Sequence, residues 1–392
     1  MTTTKNNEHK KLNVPNLRFP EFQGEWEKCI LGDITENFNL RNKDKIQYPM
    51  FSVTNDRGFV PQSEQFEGRD MVGEDIKAYK IIHTNDFAYN PARINVGSIA
   101  MYTGEKPCMI SSLYVCFKTT KEVNNEWLMQ LLKTPKMNYY YNVNGEGGVR
   151  VYLFYPNFAR IRMSIPKIEE QKKIAKLLNL IDERIATQNK IIEDLKKLKS
   201  AIIEKLYSEI QGKEYSYRQL FDVVNERNKQ MEYSNILSAS QEKGMINRDD
   251  LNLDIQFERS NINTYKIVRA GDYVIHLRSF QGGFAFSDKS GVCSPAYTIL
   301  RPNSFLEYSY LSNYFTSQRF IKSLIIVTYG IRDGRSINVD EWLSMKITIP
   351  SKEHQQHIVK MIGSFDRKIE SEEAYTIHLS KQKQYILRQM FI

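Results

Sequence analysis

No GxxxxGK[ST] phosphate loop occurs in the 392 residues, so hydrolysis of ATP by this chain is not expected. Nor does a GxGxxG fingerprint, an HExxH zinc helix or a GxSxG nucleophile elbow appear, which removes the common signatures of dinucleotide, metalloprotease and hydrolase chemistry. Cysteine is scarce: Cys29, Cys108, Cys116 and Cys293 are scattered, without CxxC spacing and without a histidine pair beside them. That pattern argues against a zinc site and for isolated thiols in a reducing compartment. The six histidines include none at metal-ligand spacing. No apolar run approaches the ~20 residues that span a bilayer, and the opening "MTTTKNNEHKKLN" lacks the apolar core of a signal peptide. A cytoplasmic protein with no membrane partner is the expectation. What is abundant is positive charge, with 55 Lys and Arg against 46 Asp and Glu and a net charge of +9. Such a balance suits a polyanionic partner without proving one.

The chain repeats itself. At a constant offset of 184 residues, "IPKIEEQKKI" from Ile165 returns as "IPSKEHQQHI" from Ile349. The identities Pro166/Pro350, Gln171/Gln355, Ile174/Ile358, Asp182/Asp366, Ile185/Ile369, Leu195/Leu379 and Lys199/Lys383 follow without a gap. Apolar residues in each copy recur at helical steps of three, four and seven. The first stripe is Ile174, Leu178, Ile181, Ile185, Ile192, Leu195, Ile202 and Leu206. The second is Ile358, Ile362, Phe365, Ile369, Leu379, Ile386 and Met390, and the equivalent residues Gln188 and Glu372 place one polar group in each. Each segment predicts a helix of about forty residues, roughly 60 Å long. A helix of that length exceeds a domain of ~140 residues and must bury its stripe, and the simplest partner is the other copy in a two-helix coiled coil.

The segments before the helices are related at an offset of 186. "FSVTNDRGFV" from Phe51 matches "LSASQEKGMI" from Leu237, and "YKIIHTNDFAYN" from Tyr79 matches "YKIVRAGDYVIH" from Tyr265. "GGVR" ending at Arg150 corresponds to "YGIR" ending at Arg332. The order is therefore globule, long helix, globule, long helix. Within each globule "DFAYN", "SIAMY", "SLYVCFK" and "IRMSIP" read as strands, while "NNEWLMQLLKTPKMNYYYN" and "EYSYLSNYFTSQRFIKSLI" have helical spacing. The fold class is α+β. "NPAR" (Asn90 to Arg93) resembles the NPP-aromatic signature of adenine N6-methyltransferases, but it lacks the second proline and the aromatic residue that would stack on a flipped base. Arginine recurs beside glycine at Arg150, Arg332 and Arg335, and Arg93 aligns with Arg278. Such loops can approach a phosphate backbone and aim a guanidinium at a guanine edge, although each alone is also compatible with an ordinary tight turn.

Together "NVPNLRFPEFQGEWE" (Asn13 to Glu27), the two divergent globules and the twice-used "IP…Q…I" helix start resemble the specificity subunit of type I restriction–modification enzymes. The likeness extends from about Val14 to Ile392, with His354 replacing the expected glutamate in the second "EQ". It implies two target-recognition domains, each followed by a long helix, with the helices paired as an antiparallel coiled coil. The boundaries expected are 1–13 for a flexible tail, 14–165 and 213–349 for the recognition domains, and 166–212 and 350–392 for the helices. It further implies a non-catalytic chain that binds double-stranded DNA at a bipartite, asymmetric target, one half per domain. Two modification subunits and the restriction subunits would assemble on it, bringing S-adenosylmethionine, ATP and Mg2+; the chain itself would hold no cofactor. Candidate DNA-contacting residues are Asn90, Arg93, Asn95, Arg150, His276, Arg278, Ser279, Gln281, Arg332 and Arg335. Competing readings are a stand-alone bipartite DNA-binding protein of repressor type and a coiled-coil scaffold that touches no DNA.

Overall fold

The computed structural model describes residues 12–65, 76–147, 151–240, 243–250, 259–276, 283–329 and 336–392. The chain divides into two compact units, one of Met1–Thr187 with Tyr375–Ile392 and one of Gln188–Ala374. The expected tail falls outside the described residues up to position 11.

Among the described residues the first unit contains ten short strands: β1 (Glu27–Ile30), β2 (Thr35–Phe38), β3 (Phe51–Thr54), β4 (Gly58–Pro61), β5 (Lys80–Ile82), β6 (Phe87–Tyr89), β7 (Ile99–Met101), β8 (Cys108–Ile110), β9 (Val115–Thr119) and β10 (Arg162–Ile165). They form an antiparallel sheet in the order β2-β9-β6-β7 and three pairs, β1-β10, β3-β4 and β5-β8. Alternation along the strands sends side chains to two faces. Phe87, Tyr89 and Phe117 face the larger core with Trp127, Leu128 and Phe158. Ala88, Ala100 and Cys116 face a smaller one with Val53, Ile82, Cys108 and Ile110. Two helices complete the large core. Asn124 caps the first (Asn125–Leu132) by accepting from Trp127 N at 2.9 Å, and Thr134 with Pro135 starts the second (Pro135–Asn144).

The second unit repeats this plan with β11 (Lys213–Ser216), β12 (Phe221–Val224), β13 (Leu237–Ser240), β14 (Gly244–Asn247), β15 (Lys266–Val268), β16 (Tyr273–Ile275), β17 (Phe284–Phe286), β18 (Gly291–Cys293), β19 (Thr298–Pro302), β20 (Thr328–Tyr329), β21 (Ser336–Ile337) and β22 (Lys346–Ile349). Its sheet order is β12-β19-β16-β17, with pairs β11-β22, β13-β14 and β15-β18, strand for strand the order of the first unit; β20-β21 is an addition. The helical spacing of "EYSYLSNYFTSQRFIKSLI" does not make a helix over most of its length. Positions 308–316 are turns, Ser309 adopts φ 63°, and only Gln318–Ser323 is α-helical, restarted by the Ser317 cap. A left-handed residue cannot continue a helix.

The central helix runs Ile168–Ser208 and the C-terminal helix Lys352–Met390. Neither contains an internal proline, and Glu169, Glu170 and Glu353 sit in the first turns, where the helix dipole favours them. The helices run antiparallel in each unit. In the first, Lys383 Nζ meets the Asp182 carboxylate at 2.6 and 2.7 Å. In the second, Lys199 meets Asp366 at 2.5 Å, and Gln188 donates to Glu372. None of the stripe residues is exposed, but the helix ends do more than face another helix. Ile174, Leu178 and Met390 enter the large core of the first unit, and Ile358 and Ile362 enter that of the second. There Ile203 and Tyr207 are the buried pair, while Ile202 and Leu206 are half-buried, because the globule claims an adjacent face of the same turn.

Candidate nucleic-acid interface

In the first unit β6 and β2 are both antiparallel to β9 and leave the sheet at the same end. From β6 the chain enters a nine-residue loop to Ser98. Asn90 Oδ1 accepts from Ala92 N at 3.0 Å, Arg93 N donates to Asn90 O at 3.0 Å, and Ser98 N donates to Arg93 O at 3.1 Å. This Asx turn closes on Gly97, whose φ of 101° is open to glycine and strained for other residues. The loop is anchored twice more: Ser98 Oγ donates to Val53 O at 2.8 Å, and Asn95 Nδ2 donates to Asn142 Oδ1 at 3.0 Å. Arg93 thus projects from a rigid loop and is exposed, whereas Asn90 and Asn95 are half-buried and spend polar atoms on the loop itself.

Next to this loop, Leu153 N donates to Pro91 O at 3.0 Å, and Glu146 and Tyr152 exchange backbone hydrogen bonds of 2.8 Å. Tyr152 and Phe154 stack with centroids 6.3 Å apart and rings 13° from parallel, and both are exposed. Arg150 lies between these paired residues but outside the described ones. In the second unit His276 leaves β16, donates its N–H to Gly283 O at 2.6 Å and sets its ring edge-on to Tyr297 at 5.1 Å. Arg278, Ser279, Gln281, Arg332 and Arg335 all lie outside the described residues; the last two fall between β20 and β21. The structure therefore brings Asn90, Arg93 and Asn95 into one loop and does not locate Arg150 or the arginines of the second unit.

Sequence reasoning missed a second matched feature, the turns joining β3 to β4 and β13 to β14. Arg57 N donates to Thr54 Oγ1 at 3.2 Å, and Lys243 N donates to Ser240 Oγ at 3.3 Å. Gly58 and Gly244 close the turns, both at φ 68°. A Cβ on Gly97 would lie 3.6 Å from Asn55, so the first turn flanks the Arg93 loop. Arg57 approaches Glu64 at 3.6 Å with both side chains more than half exposed, a pairing weak enough to yield to a phosphate. Hydrogen bonds from its own backbone N–H and from Thr54 hold the exposed Asp56 carboxyl below its usual range. The signal for Arg57 was the alignment of "TNDRG" with "SQEKG", where a cation recurs at one turn position.

At the base of each long helix a buried glutamine bonds in the same way. Gln171 Oε1 accepts from Asn124 N at 2.8 Å, and its Nε2 donates to Glu122 O and Pro166 O at 3.1 and 2.9 Å. Gln355 Oε1 accepts from Glu307 N at 2.8 Å, and its Nε2 donates to Phe305 O and Pro350 O at 2.9 and 3.1 Å. Among the described residues no group of three or more His, Cys, Asp or Glu side chains converges as a metal site, and no helix is long and apolar enough to cross a membrane.

A duplicated sheet, duplicated basic turns and a duplicated helix start have a counterpart among known proteins. Residues 23–197 and 212–380 each match the family described as type I restriction modification DNA specificity domain. The chain belongs to that family. A relative in Methanocaldococcus jannaschii, the putative type I restriction enzyme MjaX specificity subunit, is 23% identical, with 97% of this chain and 96% of the relative covered. The MjaVIII specificity subunit of the same organism is 24% identical, with 95% and 92% covered. A solved structure described as the basis of complex assembly and conformational transition of the type I R-M system superposes with a TM-score of 0.60 at 13% identity, covering 92% of this chain and 96% of that one. That likeness is one of fold. Specificity domains are the DNA-recognition, non-catalytic components of type I restriction–modification systems.

Proposed function

We propose that this chain is the DNA-reading subunit of a type I restriction–modification complex, each unit contacting one half of a bipartite, asymmetric target. The observation that carries the proposal is one sheet order built twice, with chemically different loops leaving the equivalent sheet end in each copy. Equal scaffolds suit a common task, and unequal loops suit two different half-sites. Phosphate contacts would set affinity and base-edge contacts would set specificity. In this reading Arg93 and Arg150 serve the first half-site, with Asn90 and Asn95 holding the Arg93 loop, and His276, Arg278, Ser279, Gln281, Arg332 and Arg335 serve the second.

In this reading the recognition domains are 14–165 and 213–349, and the helical arms are 166–212 and 350–392. Two modification subunits, carrying S-adenosylmethionine, and restriction subunits, using ATP and Mg2+, would assemble on the chain in the cytoplasm. Mapping methylated adenines in cells with and without the chain tests the proposal. A bipartite methylated sequence should appear only with it, and exchanging residues 14–165 for those of another family member should rewrite one half alone. Loss of both halves in a stable exchange protein would end the modular reading.

A further inference from the structure

The tripeptide Arg-Asn-Lys occurs at Arg41–Lys43 and again at Arg227–Lys229, at the same offset of 186 that relates the globules. The middle residue has a structural explanation. Asn42 is buried, donates to Ile46 O at 2.8 Å and accepts from Ile46 N at 3.0 Å. Asn228 is likewise buried, donates to Tyr233 O at 2.7 Å and accepts from Tyr233 N at 3.2 Å. Each asparagine ties a tight loop whose third residue onward, Lys45 or Met231, takes a left-handed conformation with φ of 55° or 56°. The flanking cations have no such explanation. Arg41, Lys43, Arg227 and Lys229 are exposed, take no part in either clamp and form no ion pair among the described residues; Arg227 makes one bond, to Thr264 O at 3.3 Å.

Their placement supplies one. β2 leaves the sheet at the end where β6 enters the Arg93 loop, and Arg41 follows β2 by three residues. In the second unit β12 and β16 leave together, and Arg227 follows β12 by three residues. Backbone bridges Arg41↔Lys80 and Arg227↔Lys266 fix both loops to the body of the unit. Loops that read different bases diverge, whereas a contact to the sugar-phosphate backbone is the same chemistry at any sequence.

We propose that the two Arg-Asn-Lys loops are a matched pair of phosphate anchors, one per half-site, that position each unit on the duplex without reading bases. This rests on the DNA-reading function proposed above. The test uses the full chain assembled with its modification subunits, with duplexes containing the mapped target or a scrambled sequence, over a salt series. The variants are Arg41→Gln with Lys43→Gln, and separately Arg227→Gln with Lys229→Gln. Each pair should weaken binding about thirtyfold near 0.15 M salt, equally on both duplexes, and lower the slope of log K against log salt by about two. The methylated sequence should not change, and the thermal midpoint should match the parent because the four side chains are exposed. An unchanged slope, or a loss confined to the target duplex, overturns the anchor assignment while leaving the parent complex's sequence preference intact. A parent complex with no preference between the duplexes would overturn the DNA-reading function itself and the anchors with it.

Discussion

Glu170 and His354 occupy equivalent positions one residue before the glutamine clamps, yet they do opposite things. Glu170 is buried, takes the Arg18 guanidinium at 2.8 Å on each oxygen and accepts from Trp26 Nε1 at 3.2 Å. His354 is exposed, and only its backbone N–H is held, by Ser351 Oγ at 3.3 Å. The chain before β1 is an arm that must be tied down, through Glu170 and through Leu17 N to Gln389 O at 2.9 Å. The chain before β11 arrives directly from the central helix through Gly212, which packs so close to the Ile349 carbonyl that a Cβ would lie 2.1 Å from it. Duplicated chemistry persists where the connection is the same and disappears where the connection differs.

That contrast can be broken or sharpened by substitution. Replacing either clamp, Gln171→Leu or Gln355→Leu, strands one backbone donor and two acceptors, and each should cost about 3–5 kcal/mol in denaturant unfolding. A much smaller loss at one of them would show that the two clamps are not equivalent. Glu170→Ala should cost about 2–4 kcal/mol, since it leaves the Trp26 indole N–H unpaired and the Arg18 guanidinium with only the Gly24 and Gln23 carbonyls, whereas His354→Ala should fall within about 0.5 kcal/mol of the parent. Equal effects at these two positions would mean that Glu170 does not tie down the arm before β1. Breaking Asp182–Lys383 or Lys199–Asp366 should cost about 0.5–1 kcal/mol each in double-mutant cycles, because the carboxylates are 43% and 44% exposed. Last, burial pushes the Cys108, Cys116 and Cys293 thiols up to about 12, so none should be alkylated at pH 8 before unfolding, in either unit. Rapid labelling of Cys293 alone would mark the second unit as the looser.

Much of the fold was legible because the duplication supplied two noisy copies of one pattern. The helical stripes survive in both copies, and "DFAYN" and "SLYVCFK" carry the aromatic and β-branched residues of strands, here buried on both faces. The turns at 308–316 escaped because Tyr308, Tyr310, Tyr314 and Phe315 mimic an amphipathic helix, while the left-handed Ser309 carries no composition signal. The site was less legible. Arg93 stood out beside proline and glycine, but Asn90 and Asn95 are polar residues that the loop uses for itself. Arg57, Lys243 and the Arg-Asn-Lys loops were hidden because they sit in segments where the repeat alone, rather than a motif, distinguishes them. A cation in a turn carries no signal of its own until the second copy is laid beside the first.

Asp182 and Lys199 are seventeen positions apart on the central helix and do not meet; Asp366 and Lys383 are the same two residues on the other. Each aspartate finds its lysine on the opposite copy. One forty-residue text, printed twice and laid head to tail, supplies both halves of every such match. Loss of one aspartate therefore unpairs a lysine of the other copy and leaves the second ion pair standing.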